Sequence, residues 1–261
     1  MIAGFLITKY LQECCLKANL LKSKLMTEII ATHKEEHLRS SDFITDIVIG
    51  MSDGLTVPFA LAAGLSGAVQ SNSVVITAGI AEIVAGSIAM GLGGYLAGKT
   101  EQEHFQSELQ KEYAEVEIIP EKEKEEIRLV FAQYGLNEQT QNIIADELAK
   151  DKDKWVDFMM KYELGLEKPD KNRARNSAAT IGLSYIVGGL IPLTAYFVTK
   201  TPYEGLVISA MLTIICLFFF GYFKSKVTGQ APIKGALKVT LIGITAATAA
   251  FLVAKAFNNL F

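Results

Sequence analysis

Three carboxylates stand in stretches that otherwise read as hydrocarbon. Asp46 and Asp53 fall within "FITDIVIGMSDGLTVPFALAAGLSG" (residues 43–67), and Glu82 within "TAGIAEIVAGSIAMGLGGYLAG" (residues 77–98). An ionised Asp at the middle of a membrane helix costs about 2.5 to 3.5 kcal/mol, so such acids are retained for a reason. Asp46 and Asp53 are seven residues apart and return to nearly the same helix face, with Gly50 on the stripe between them. The bland reading sets Asp46 and Glu82 near headgroups or beside a lysine. Asp53 is deep in its segment with no basic neighbour in sequence, and it reads as part of an ion pathway. Met90 alone would be packing. A carboxylate together with a thioether suits a borderline divalent ion such as Fe²⁺ better than Mg²⁺ or Ca²⁺. A cation then neutralises the acid while it passes, and a proton does so in between.

A second set of acids is polar in context. Glu112 and Glu115, then Glu123 and Glu126, form two E-x-x-E pairs, each on one helix face. "DFMMKYELGLE" adds Met159, Met160 and Glu163. Like charges at this spacing cost a few tenths of a kcal/mol per pair. Bound cations would offset that, and so would a solvated face neighboured by Lys122, Lys124 and Lys150; spacing alone leaves both readings open. Two catalytic patterns are incomplete. Glu101 and His104 give one E-x-x-H where a di-iron centre needs two. "HKEEH" at His33 and His37 matches an inverted zinc-peptidase motif but has no third ligand or surrounding domain. No enzyme is expected.

These residues need membrane helices to position them. Half of the 261 residues are hydrophobic, a fifth are charged, and the mean hydropathy is positive. The charge is concentrated: residues 99–175 hold 19 acids and 13 bases, net −6, and the other 184 residues hold only 9 acids and 12 bases. Nothing is basic enough to point to nucleic acid. About 20 apolar residues cross the hydrocarbon core, and five segments qualify: Phe43 to Gly67, Asn72 to Gly98, Asn176 to Thr199, Gly205 to Phe223 and Gly235 to Ala254. Gly50 with Gly54 and Gly94 with Gly98 are small-xxx-small pairs that let helices approach closely. Pro58 is expected to interrupt the backbone ladder near Asp53.

The fold class is therefore an all-α membrane protein, with five transmembrane helices and a small cytosolic helical metal-binding bundle inserted between spans 2 and 3. The expected segments are 1–42 (an N-terminal cytosolic lead-in), 43–98, 99–175 (the bundle) and 176–261. The basic connectors (Lys22 to Arg39, "KNRAR" before span 3, and Lys224 to Lys234) fall on one side if the N-terminus is cytosolic. Pro120 should separate the first bundle helix from the second. Cys14, Cys15 and Cys216 suggest no disulfide framework. The first 26 residues read as an interfacial amphipathic helix or an extension, not as a secretory signal.

"DIVIGMSDGLTVPFALAAGLSG", "TAGIAEIVAGSIAMGLGGYLA", "DFMMKYELGLEKPD" and the "GGLIPL" of span 3 resemble the vacuolar iron transporter family from about His37 to the last span. The resemblance implies a homodimer of five-span subunits in a lipid bilayer. It implies export of Fe²⁺ from the cytosol in exchange for protons, by a pathway between the subunits. By motif position, Asp53 and Met90 correspond to the family's transmembrane metal-binding pair, and Asp46 and Glu82 to further pathway acids. Glu112, Glu115, Glu123, Glu126, Met159, Met160 and Glu163 correspond to its cytosolic ligands. No permanent cofactor is implied, only transported Fe²⁺, or Mn²⁺, Co²⁺ or Zn²⁺, bound in transit. The expected membrane is vacuolar or of another acidic compartment in a eukaryote, and the cell's inner membrane in a bacterium. The competing expectation is a membrane-anchored metal buffer or ferroxidase without flux.

Overall fold

The structure is a computed structural model that describes residues 42–258. The expectations for the N-terminal lead-in, with its bases, Cys14, Cys15, His33 and His37, lie outside the described residues. Within them the chain is helical throughout, with eight α-helices, one π turn and no strand. The helices are α1 (Asp42–Ser66), α2 (Asn72–Ile118), α3 (Pro120–Gln133), α4 (Glu138–Leu148), α5 (Lys152–Phe158), α6 (Arg173–Val198), α7 (Pro202–Val227) and α8 (Pro232–Asn258). The π turn, Met159–Glu163, continues α5.

Five of these, α1, α2, α6, α7 and α8, are long and apolar enough to span a membrane. Large apolar side chains such as Ile88, Leu183 and Leu241 are more than 60% exposed. Water would penalise that surface and acyl chains do not. The central helix is α6, which packs along both α1 and α2, while α8 packs on α7 and α1. Close approach comes from the glycines. A side chain at Gly50 or Gly54 would collide with the α6 backbone at Ile181 or Tyr185, and one at Gly98 would come within 2.7 Å of the Ala174 Cα. The helix α1 runs through Pro58 and buries its ring; having no N–H, Pro58 leaves the Gly54 carbonyl beside Asp53 without its helical bond.

The expected boundary near residue 98 falls inside one unbroken helix. At 47 residues, α2 is about 70 Å long, so its last five turns leave the apolar zone and become the first helix of the bundle. Pro120 then occupies the first turn of α3, where its missing N–H costs nothing. Gly135, at φ 78°, ends that unit in a left-handed turn. Asn137 caps α4 by accepting from the Thr140 N–H at 2.9 Å. The bundle closes over Val116, Ile127, Ala145, Trp155, Val156, Met159 and Met160.

Candidate functional site

In the membrane half, Asp53 sits half-buried on α1, with no hydrogen-bond or ion-pair partner among the described residues. Its neighbour Gly54 lies against the backbone of Tyr185 on α6. The Tyr185 ring in turn fills the space left by Gly86 on α2, and its hydroxyl donates to a carboxylate oxygen of Glu82. The other Glu82 oxygen is buried and unpartnered. Tyr185 thus stands within electrostatic reach of both Glu82 and Asp53, joining three helices at one polar point. Met90 is half-buried on α2, about two turns beyond Glu82.

Asp46 differs from Asp53. It is 3% exposed, and Arg173 at the start of α6 donates to it from Nη1 at 2.8 Å. The same guanidinium lies 3.3 Å from Asp42 and 3.7 Å from Glu101. The bland reading of Asp46 places it near headgroups or beside a lysine; the structure pairs it with an arginine at the start of α6. Glu101 is therefore engaged with Arg173, while His104 is exposed.

The bundle brings all five of its expected glutamates together. Carboxylate oxygens of Glu112, Glu115 and Glu123 lie within 4.8 Å of one another, as do those of Glu123, Glu126 and Glu163. Glu123 is common to both trios. It is 1% exposed, and neither of its oxygens has a hydrogen-bond partner. Glu112 is 3% exposed with Oε2 likewise orphaned. Both lie outside the apolar spans, and burial, followed by the surrounding carboxylates, pushes each up to about 7. Glu163, on the exposed rim, is raised as well, by desolvation and then by Glu126. Two bases face the cluster: Lys122 holds Glu126 at 3.1 Å, and Lys111 lies within electrostatic reach of Glu112 and Glu163. A buried carboxylate without donors is costly, and five that converge add repulsion. A cation, or protons, must therefore complete the cluster.

Met159 and Met160 are 0% and 2% exposed, and both belong to the apolar core of the bundle. Their adjacency on one inward face follows from the π turn, in which the Leu164 N–H reaches back to the Met159 carbonyl at 3.1 Å. That core also contains Val116 and Ile127, which directly follow Glu115 and Glu126 in the chain. The thioethers and carboxylates thus belong to neighbouring turns of the same packed helices.

Two residues escaped the sequence reading. Tyr185 is an aromatic in a charge-free span, and its signal was the hydroxyl, which needs a partner in lipid. Arg173 read only as part of a basic connector, since nothing local ties it to an acid 127 positions away.

A profile of the VIT family matches residues 44–255. The chain is 47% identical to Vacuolar iron transporter 1 of Tulipa gesneriana over 88% of its own length and 94% of the relative's. It is 48% identical to Vacuolar iron transporter 1 of Arabidopsis thaliana, over 87% and 91% of the two chains. The Saccharomyces cerevisiae Protein CCC1 is 38% identical over 80% of this chain and 68% of its own. With the match running from the first span to the last, the chain belongs to the VIT family.

Proposed function

We propose that the protein carries Fe²⁺ out of the cytosol across a vacuolar membrane in exchange for protons, with Mn²⁺, Co²⁺ and Zn²⁺ as further candidate ions. Its relatives in plants are named vacuolar iron transporters. The observation that supports the reading most is Glu123, fully buried amid four other carboxylates with neither oxygen partnered. Such a group is stable when protonated or when metal-bound, so the two ligands exclude each other at one site.

In this reading the bundle lies on the cytosolic side and collects the ion through Glu112, Glu115, Glu123, Glu126 and Glu163, with Met159 and Met160 supplying softer donors. The ion then passes Asp46 and Asp53, with Glu82 and Met90 from α2. Asp53 shares its helix face with Ile49 and Val57, which are 40% and 45% exposed. A face that joins apolar side chains to a free carboxylate is poorly suited to acyl chains and well suited to a second copy. Two-fold symmetry would then double each ligand. On an acidic far side the carboxylates reprotonate and release the ion.

The test is flux into sealed proteoliposomes with an acidic interior, metal by metal. Wild-type protein should accumulate Fe²⁺ only while the pH gradient lasts, and Asp53→Asn should abolish accumulation without changing the oligomer. Metal bound by the wild type without any accumulation would instead favour an anchored buffer.

A further inference from the structure

The bundle neutralises most of its own bases. Every base from Lys99 to Lys154 has a carboxylate within 3.7 Å. Beyond that point the pattern stops. The side chains of Lys168, Lys171 and Arg175 have no carboxylate or hydrogen-bond partner among the described residues. All three are exposed and lie within eight residues of one another.

The two lysines share one place in the fold, and Arg175 follows in the first turn of α6. Lys168, Pro169 and Lys171 form one wall of an open cavity of about 300 Å³, and Gln102, Phe105 and Gln106 of α2 help form the other. The connector is fixed there, because the Gln102 Nε2 donates to the Asp170 carbonyl at 2.8 Å and to the Lys171 carbonyl at 3.2 Å. The Asp170 carboxylate accepts from the Asn172 N–H at 2.6 Å, so it is turned to its own backbone. The depth is set by Gly98, the last apolar residue of the span, which packs on Ala174. Gln102, at the near edge of the cavity, is four residues further, about 6 Å along the axis, and Leu109 at its far edge is about 16 Å along. The headgroup layer extends about 5 to 7 Å beyond the hydrocarbon.

We propose that this junction binds the phosphate headgroup of an anionic phospholipid from the leaflet on the bundle's side. The lysines supply point charges, the Gln102 and Gln106 amides add polar groups, and the ring of Phe105 borders the cavity. Arg175 lies in the first turn of α6, where the helix dipole disfavours a cation. Arg173 in that turn is offset by three acids; Arg175 has none among the described residues, and a lipid phosphate would offset it. The inference is independent of flux, since it concerns only unpaired charge beside a cavity whose near edge opens at headgroup depth.

The test is native mass spectrometry of the full-length chain, delipidated in detergent and then given phosphatidylserine or phosphatidylcholine. Wild-type protein should retain phosphatidylserine over phosphatidylcholine. K168Q/K171Q/R175Q should lose that preference, by about fivefold per neutralised base. The charge-matched variant K150Q/K152Q/K154Q should keep it, because those lysines already have partners. Thermal unfolding checks that both variants fold, and the single changes K168Q and R175Q, each with a partial loss, replace the triple if it does not. Equal retention of the two lipids by wild type, equal loss in both triple variants, or displacement of the lipid by millimolar inorganic phosphate would overturn the proposal.

Discussion

At the scale of single residues, the glutamate cluster is where protons and metal compete most directly. Glu112 and Glu123 titrate near pH 7, well above an ordinary glutamate, because burial and neighbouring carboxylates penalise the charged form. The sign for stability follows. In metal-free protein these groups are neutral and tolerated below about pH 4.5, where folded and unfolded chains are both protonated. As pH rises from there through 7, only the unfolded chain ionises freely, so stability falls. Thermal unfolding of the full-length metal-free protein in detergent should therefore give a lower midpoint at pH 8 than at pH 5.5, and added Fe²⁺ or Mn²⁺ should reverse the order. Metal affinity has the opposite slope. It should weaken on acidification below pH 7 by up to about tenfold per pH unit for each carboxylate that must lose a proton. Glu123→Gln keeps the shape and removes the charge. It should raise the metal-free midpoint at pH 8 while weakening metal binding at least about tenfold, as measured by calorimetry. A lower midpoint would mean that Glu123 has a polar partner absent from this structure.

At the scale of elements, Arg173 connects α1, α2 and α6 where the apolar spans meet the bundle. Removing one partner of a buried pair leaves the other uncompensated and typically costs about 3 to 5 kcal/mol. Arg173→Gln should therefore destabilise the protein strongly, whereas Asp46→Asn with Arg173→Gln should recover much of the loss. The comparison separates the charge from the shape, because both variants lack the guanidinium. A double variant as unstable as the single one would show that Arg173 acts through packing, or through Asp42 and Glu101. The same region explains the length of α2. A helix unbroken from Asn72 to Ile118 places Glu82 and Glu112 on one rigid rod, so the acids of the membrane and of the bundle have a fixed separation along its axis.

At the scale of the whole molecule, flux depends on what covers the α1 face that carries Ile49, Asp53 and Val57. If a second copy does, Val57→Trp should weaken the dimer and reduce flux together, measured by cross-linking in membranes and by proteoliposome uptake. It should leave metal binding by the glutamate cluster intact, since that cluster is built from α2, α3 and the π turn alone. Loss of flux with an intact dimer would place the disturbance inside one subunit.

The sequence by itself determined the spans, the inserted bundle and the presence of misplaced acids. Hydropathy, helix period and the energetic cost of charge in lipid all act on neighbouring residues, so composition within 20 or so positions decides them. The E-x-x-E pairs were legible as pairs, yet spacing could not distinguish a metal site from a solvated face; that required knowing that α3 folds back so that Glu123 meets Glu112. Only the folded chain pairs Arg173 with Asp46, sets Tyr185 against Glu82 beside Gly86, and leaves Lys168, Lys171 and Arg175 without acids among the described residues. Each is a contact, or a missing one, between segments far apart in the chain. Electrostatic partnership depends on distance in space, and only the packing of α6 between α1 and α2 fixes those distances.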